Sequence, residues 1–322
     1  MAILPAAQFK GRIHFGLITL RTDEFEAVLQ RFPAQDQIAG AERLYSLNRF
    51  TAGDGSYMAT VMRCPEQGTG EAQDAARDLI EDLDPRWLVV AGIAGGVPSD
   101  DFSLGDVIVG TQIIDFNREA VRQDQPAEYD LSGGPAHKSV RAVVAQLAAL
   151  KAELGDWNSQ QALTCPRPGV SLALKNFYGP KAWRKKTRSS LKLHFKAKPR
   201  PPLVEAGPIA SSDRLIKDVN HLIGLLAAVR SVRCVEMEAA GVYRAARRAD
   251  REYPVLVVRG LSDIVGFKRD GAWTHYACHT AASFTAALLR VVAPLVAQGQ
   301  AAATDTGQGG EGVVNSQTKA TP

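Results

Sequence analysis

The stretch that decides the fold runs from residue 235 to residue 270 and holds two motifs, VEMEAAG at 235–241 and VLVVRGLSD at 255–263. The second motif starts with a continuous apolar run, which is typical of a strand buried on both faces. Arg259, Ser262 and Asp263 follow this run. Because ligands bind at the carboxyl ends of strands in α/β sheets, the pattern predicts a site at one edge of a sheet.

Outward from this stretch, buried-strand patterns alternate with helix patterns. Two segments with alternating apolar residues, 43–50 and 57–63, flank Gly53-Asp54-Gly55 and predict a hairpin. Strands that alternate with helices indicate an α/β fold, and the hairpin makes its sheet mixed. We predict further strands at 13–20, 87–91, 106–114, 203–209, around Cys234 and at 254–259. We predict helices from Thr22, at 70–83, at 137–154, from the cap Ser211–Asp213 to 229, at 238–248 and at 272–296.

Charge and periodicity divide the chain into one domain over residues 1–296 and a tail. Periodicity fails at 156–202, which predicts an insertion or a flexible flap. Within it, residues 181–200 carry nine Lys and Arg and no acid, whereas the net charge of the whole chain is only +4. The rest is therefore net acidic, and a nucleic acid polymer is not an expected partner. Residues 297–322 lack an apolar period, which predicts a disordered tail.

The sequence also bears on compartment and metals. We find neither an apolar run of about 18 residues nor a secretory signal, so no membrane association is expected. The four cysteines form no CxxC pair, which favours reduced thiols and a cytoplasmic protein. His275 and His279 can share a helix face but lack the HExxH glutamate, so no metal site is expected.

Three features near the predicted strand ends are candidate site residues, each with a structural alternative. The glycine-rich turn at 91–96 lets backbone amides approach a ligand, but it lacks dinucleotide and Walker spacing, and a plain tight turn is the alternative. Glu236 and Glu238 can bind sugar hydroxyls or a cation, or can stabilise a helix N-terminus. Asp263 can be a general acid with a raised pKa, or a structural cap.

Taken together, the motifs VEMEAA at 235–240 and VRGLSD at 258–263 resemble the paired signature of the nucleoside phosphorylase/nucleosidase superfamily. The match is nearest to the methylthioadenosine/S-adenosylhomocysteine nucleosidase-like branch. Similar segments at 18–24, 92–96, 104–107 and 207–217 extend the resemblance over about 12–155 and 203–292. The later part also resembles nucleosidase-type domains joined to sensor modules in immunity proteins. The resemblance implies a three-layer α/β/α fold with a central mixed sheet, purine nucleoside phosphorylase-like, often assembled as a homodimer.

The resemblance also implies cleavage of the N-glycosidic bond of a purine nucleoside, without a cofactor or a metal. By position, Asp263 protonates N7 of the base, Glu24 orients and deprotonates the attacking water, and Glu238 accepts hydrogen bonds from the ribose. Opposite protonation states of acid and base fit such a division of roles. The resemblance assigns the other substrate-binding positions to Met237 against the sugar, Ser262 supporting Asp263, Arg259 holding Glu24 or the water, and Glu236, Gly95, Leu215 and Ile216.

Two departures from the family pattern refine this expectation. Ile93 stands where the phosphorylases carry a Ser or Thr that holds phosphate, which favours water as the nucleophile. Leu215 replaces an aromatic residue that stacks on adenine, which weakens the expectation of adenine specificity. We therefore expect a purine nucleosidase, with a phosphate-dependent phosphorylase or a non-catalytic nucleoside-sensing module as alternatives. The basic run, through Lys185, Lys186 and Arg188, either selects a phosphorylated substrate or is a solvated loop.

Overall fold

The computed structural model describes residues 1–120, 128–196, 199–213 and 219–305. Its strands are β1 (Ile3–Pro5), β2 (Phe15–Thr19), β3 (Asp36–Ala39), β4 (Leu44–Ala52), β5 (Gly55–Arg63), β6 (Trp87–Gly96), β7 (Val107–Ala120), β8 (Glu128–Pro135), β9 (Val204–Ser211), β10 (Cys234–Glu236) and β11 (Val255–Ile264). Its helices are α1 (Thr22–Arg31), α2 (Thr69–Leu83), α3 (Lys138–Ala145), α4 (Gln160–Leu163), α5 (Lys181–Lys196), α6 (Val219–Ala228), α7 (Ala239–Arg248) and α8 (Gly271–Asp305).

Within the described residues, eleven strands form one mixed sheet. β2 runs parallel to both β5 and β6, and β4 with β5 forms the expected antiparallel hairpin. Beyond β6 the sheet closes on itself, because β6 pairs with both β10 and β11, and the path through β9 and β7 joins those two strands. β6 and β11 are parallel, and at their carboxyl ends Asp263 lies opposite Gly95 after a register shift. The closure therefore brings both motifs of the 235–270 stretch to one edge.

Alternate residues of the central strands face two separate helical layers. Leu17 and Val89 are buried in a core that includes residues of α1, α3 and α8. Their neighbours Ile18 and Val90 are buried in a second core with residues of α2 and α7. This alternation follows from the two-residue period of a strand. The predicted three-layer α/β/α class with a central mixed sheet is confirmed.

Several predicted strands extend further than expected; β7, for example, runs to Ala120 instead of 114. Residues 91–96 form no turn, since they are the second half of β6 and pair with β11 and β10. β11 likewise continues through Asp263, so Arg259 lies inside the strand instead of beyond its end. Gly and Ala have low strand propensity, but pairing on both sides satisfies their backbone groups in the interior.

The helical expectations need two corrections. The segment 137–154 is helical only to Ala145 before it becomes irregular, and α8 continues past 296 to Asp305, while 306–322 lie outside the described residues. The expected cap at Ser211–Asp213 also contacts other helices, and residues 214–218, where its own helix is expected to begin, lie outside the described residues. Ser211 Oγ accepts a hydrogen bond from Ala240 N–H of α7, and the Asp213 carboxylate accepts from the Thr69 hydroxyl at the start of α2.

The basic insertion is folded against the domain and is not an irregular flap. Its residues 181–196 form α5, and Trp183 of this helix is buried. The indole Nε1 of Trp183 donates a hydrogen bond to the carbonyl of Val265, 2.8 Å away, just after β11. The insertion is thereby attached next to the strand that carries Asp263.

The long helix α8 has the length and composition of a membrane span over Gly271–Gln298, but most of its apolar window is buried inside the protein. Phe284, Leu288 and Leu289 belong to the core that α8 shares with the sheet. Its apolar residues are thus accounted for by packing in the outer layer of the fold.

Candidate active site

A cavity of about 460 Å³ lies where β6, β10 and β11 meet. Its volume is in the range of roughly 300–1,000 Å³ that is common for small-molecule sites. Seven of the expected site residues line it together, although they come from four distant parts of the chain: Glu24, Gly95, Glu236, Met237, Glu238, Ser262 and Asp263. Of the other three, Arg259 lies behind the cavity wall, while Leu215 and Ile216 lie outside the described residues.

Glu24 is fixed by backbone donors in the first turn of α1. Its Oε2 accepts hydrogen bonds from the N–H groups of Leu20 at 3.1 Å and Arg21 at 3.0 Å, and its Oε1 accepts from Ile93 N–H at 2.8 Å. The Glu24 side chain is buried and lines the cavity. Arg21 is the residue that precedes the helix. A carboxylate held in this way can orient a water molecule through its remaining lone pairs.

Arg259 is fully buried and joins the two glutamates of the EMEA motif. Its Nη2 donates to Oε2 of Glu236 and to Oε2 of Glu238, the latter 3.2 Å away. The expected hydrogen bond from Arg259 to Glu24 is absent, although Nη1 has no hydrogen-bond partner among the described residues and lies beside Gly92. A Cβ on Gly92 would be 2.5 Å from both Arg259 Nη1 and Glu24 Oε1, so the glycine allows both side chains to reach this wall. Arg259 therefore positions carboxylates from behind the cavity.

The two glutamates have different surroundings. Glu236 accepts hydrogen bonds from Glu238 N–H and Ala239 N–H, so its carboxylate stabilises the start of α7. Oε2 of Glu238 accepts hydrogen bonds from Arg259 Nη2 and from Met237 N–H. Burial raises the pKa of Glu238 to about 8, against the opposing effect of Arg259, and the negative charges of Glu236 and Glu24 raise it further. A structural role thus accounts for Glu236, whereas Glu238 is available to a ligand.

Asp263 lies at the other side of the cavity, at the bulged end of β11. Ser262 Oγ donates a hydrogen bond to Asp263 Oδ1 at 2.7 Å, as the expected supporting role requires. Burial raises the pKa of Asp263, and the Ser262 hydroxyl and the Arg269 guanidinium oppose that shift. A Cβ on Gly95 would lie 3.2 Å from Asp263 Oδ2, so a larger residue there would crowd the carboxyl. An aspartic acid that stays protonated to higher pH can act as a general acid.

The cavity has further lining residues that sequence reasoning missed, and several are cationic. Lys175, Asn176 and Tyr178 come from the insertion, and Lys268 and Arg269 from the loop after β11. Arg269 lies only six positions after Asp263, and Tyr178 lies in the segment 156–202 where periodicity fails, so both were weak signals. By contrast Lys185, Lys186 and Arg188 do not line this cavity.

One group among the described residues could hold a metal ion. The ligand atoms of Cys165, His275 and His279 lie within 4.8 Å of one another. Cys165 comes from the insertion, so the sequence spacing of the two histidines alone did not reveal it. None of the three lines the cavity. The carboxylate site described above is therefore built without them.

Comparisons with known proteins agree with this fold. A curated death domain-containing ATP nucleosidase of Amphimedon queenslandica is 23% identical over 84% of this chain and 47% of its own length. A nucleotide-binding leucine-rich repeat (NLR)-like protein of Hyaloscypha variabilis is 24% identical over 77% of this chain and 26% of its own. The chain thus spans less than half the length of these two curated relatives.

Solved structures share the fold at low sequence identity. Futalosine hydrolase of Helicobacter pylori has a TM-score of 0.60 at 14% identity, covering 87% of this chain and 98% of its own. A 5′-methylthioadenosine/S-adenosylhomocysteine nucleosidase of Colwellia psychrerythraea in complex with adenine has a TM-score of 0.60 at 16% identity, covering 86% and 95%. The family model of the phosphorylase superfamily matches residues 16–293. This chain belongs to the phosphorylase superfamily.

Proposed function

We propose that this chain is a purine nucleosidase, which hydrolyses the N-glycosidic bond of a purine nucleoside or nucleotide. The observation that carries the proposal is that Asp263, Glu24 and Glu238 line one cavity of suitable size. The acid with the raised pKa and the glutamate held by three backbone donors have different surroundings, as a division into acid and base favours.

The reaction assigns one task to each carboxyl group. Asp263 donates its proton to N7 of the base while the bond from N9 to C1′ breaks and its electron pair moves to the base. Glu24 accepts a proton from a water molecule whose oxygen bonds to C1′. Glu238 accepts hydrogen bonds from the ribose hydroxyls, and Met237 packs against the sugar. The products are the free purine and the free sugar.

Water is favoured over phosphate as the nucleophile by the surroundings of Ile93. Its side chain cannot donate a hydrogen bond, and its N–H is already bound to Glu24. An incoming phosphate at this wall would meet a carboxylate instead of a donor. The names of the relatives, an ATP nucleosidase, a futalosine hydrolase and a nucleosidase, also favour hydrolysis.

The test is release of free base from a panel of purine nucleosides and nucleotides, with and without phosphate. We expect release without phosphate by the wild type. In Asp263→Asn, which keeps the shape but cannot donate the proton, we expect the rate to fall by about 10²–10⁴-fold. Release that depends on phosphate would leave the phosphorylase as the better assignment. Binding without turnover by any member of the panel would favour the non-catalytic sensing module.

We propose in addition a cytoplasmic homodimer, following the family. Sedimentation velocity on the 34.6 kDa chain tests the assembly. A monomer across the micromolar range would contradict it.

A further inference from the structure

We propose that Lys175, Lys268 and Arg269 form a subsite for the 5′-phosphate of the substrate, so that purine nucleoside 5′-phosphates are preferred over free nucleosides. The inference rests on the proposed function, because the orientation of the substrate follows from the roles of Asp263 and Glu238. It uses cations that line the cavity and that the proposed chemistry leaves without a task.

Charge is separated within the cavity. Glu236 and Glu238 both form ion pairs with the buried Arg259. The cations Lys175 and Lys268, by contrast, are exposed. Neither lysine forms an ion pair with any residue that the structure describes. Arg21 also lines the cavity, but Asp23 binds its guanidinium through two hydrogen bonds and compensates its charge. The lining lysines without an ion-pair partner among the described residues therefore lie on the side of the cavity that Lys268 borders.

The insertion brings Lys175 to this place through backbone contacts. Lys268 N–H donates to the carbonyl of Asn176 at 2.8 Å, and Tyr178 N–H donates to the carbonyl of Gly266 at 3.0 Å. The rings of Phe177 and Phe267 pack between these two bonds, with centroids 5.0 Å apart. The segment around Lys175 is thus held against the loop that carries Lys268, so that both lysines line the same cavity.

The position of Arg269 links these cations to the 5′ end of a nucleotide. Its Nε lies 3.9 Å from Asp263 Oδ1, and its side chain is 43% exposed. In an anti purine nucleotide the 5′-oxygen lies on the C8 and N7 side of the base. A substrate that presents N7 to Asp263 therefore brings its 5′-phosphate towards Arg269 and its neighbour Lys268. Charge-assisted contacts of Arg and Lys to phosphate are among the strong hydrogen bonds of proteins.

The subsite would also act on the general acid. Arg269 opposes the burial that raises the pKa of Asp263. A phosphate bound to Arg269 offsets this positive charge, and the protonated form of Asp263 then persists to higher pH. Nucleotides should therefore show a high-pH limit of activity that lies above the limit for nucleosides.

The experiment compares kcat/KM for adenosine, AMP and ATP, and for the guanine series, in the wild type and in the double variant Lys175→Gln/Lys268→Gln. Both lysines are exposed and form no ion pair with the described residues, so the variant should fold. We expect the ratio of nucleotide to nucleoside kcat/KM to fall by about tenfold or more for each charge removed. The matched control, Lys181→Gln/Lys185→Gln on α5, removes the same charge outside the cavity and should change the ratio less than about twofold.

An unchanged ratio in the double variant, with nucleosidase activity intact, overturns the subsite and leaves the proposed function standing. Equal loss in both double variants also overturns it, since a diffuse charge effect would then suffice. If the wild type releases no base at all, the proposed function fails, and calorimetric binding of AMP and adenosine still decides the subsite. Adenosine binding as tightly as AMP would refute it, while tighter AMP binding that the double variant abolishes would support it.

Discussion

At the scale of single residues, the site depends on two buried acids whose pKa values move in the same direction for different purposes. Burial raises the pKa of Asp263, which in the proposed reaction keeps a proton available for the base. Burial also raises the pKa of Glu238 to about 8, although its expected role is to accept hydrogen bonds from hydroxyl groups as a carboxylate. Activity should therefore fall with rising pH because of Asp263, whereas ligand binding should strengthen with rising pH because of Glu238.

For Asp263, activity should fall as pH rises. The protonated form is the active one, and its raised pKa extends activity to higher pH than an ordinary aspartate allows. A pH profile of kcat/KM should show a falling limb in the wild type that is missing from the residual rate of Asp263→Asn. Ser262→Ala removes a hydrogen bond that lowers this pKa and should shift the limb upward. A downward shift in that variant would contradict the assignment.

For Glu238, ligand binding should strengthen as pH rises towards about 8. Below that value Glu238 carries a proton in the free protein. The ribose hydroxyls donate hydrogen bonds to the carboxylate form, so the proton must leave when the ligand binds. Calorimetry of a non-hydrolysable nucleoside analogue in buffers of different ionisation enthalpy measures this release. Glu238→Gln should abolish it, and an analogue without the 2′- and 3′-hydroxyls should reduce it. Proton uptake on binding would exclude the role.

At the scale of elements, the buried trio of Arg259, Glu236 and Glu238 ties β11 to the start of α7. Arg259→Met would leave two buried carboxylates without their cation, and the free energy of unfolding should fall by about 3–5 kcal/mol. The loss should be greater above pH 8 than at pH 5, since protonation relieves unpaired carboxylates. Denaturant titrations measure both values. Arg269→Met is the control. Nε of this exposed arginine lies 3.9 Å from Asp263 Oδ1, so the variant should lower the free energy of unfolding by less than about 1 kcal/mol.

The attachment of α5 gives a second prediction at this scale. Trp183→Ala removes a buried indole that packs on Gly266 and binds Val265, and it should lower the free energy of unfolding by about 3–5 kcal/mol. It should also raise KM, because Val265 and Lys268 line the cavity. Trp183→Phe keeps an aromatic ring but loses the hydrogen bond and part of the buried indole, so a smaller loss of about 1–3 kcal/mol is expected. Unaltered stability of the alanine variant would mean that the insertion is not anchored here.

The elements also explain how far the sequence alone could lead. Acids that come after continuous apolar runs are readable from the pattern, which is why Glu238 and Asp263 could be named as candidates. The helix α5 was missed because its buried positions have helical spacing, but two of them are Thr187 and Ser190, so the stripe is only half apolar. Residues 91–96 were taken for a turn because small residues carry little strand signal, and only pairing with β10 and β11 makes them a strand.

Contacts between distant segments were beyond reach in principle. Lys175 borders Asp263's cavity only because residues 176–178 pair with 266–268, and no local pattern encodes that pairing. The same holds for Cys165, which joins His275 and His279 from more than 100 positions away. No described residue of the basic run 181–200 lines the cavity, and charge pattern alone could not tell that cations outside the run, Lys175 and Lys268, do so.

At the scale of the whole molecule, the net charge of +4 is small, so any electrostatic preference must arise from where the cations lie. Salt then separates a charged substrate from a neutral one. The Debye length is about 10 Å at 0.1 M ionic strength and about 3 Å at 1 M. We expect kcat/KM for ATP to fall several-fold between these conditions, whereas kcat/KM for adenosine should stay nearly constant, because exposed cations attract only the anion. Steady-state rates at constant pH across a salt series measure both.

Lys175→Gln/Lys268→Gln should flatten the dependence for ATP, since it removes the exposed charges next to the cavity. Parallel salt dependences for ATP and adenosine would show that salt acts on the protein itself and that the entrance makes no distinction by charge.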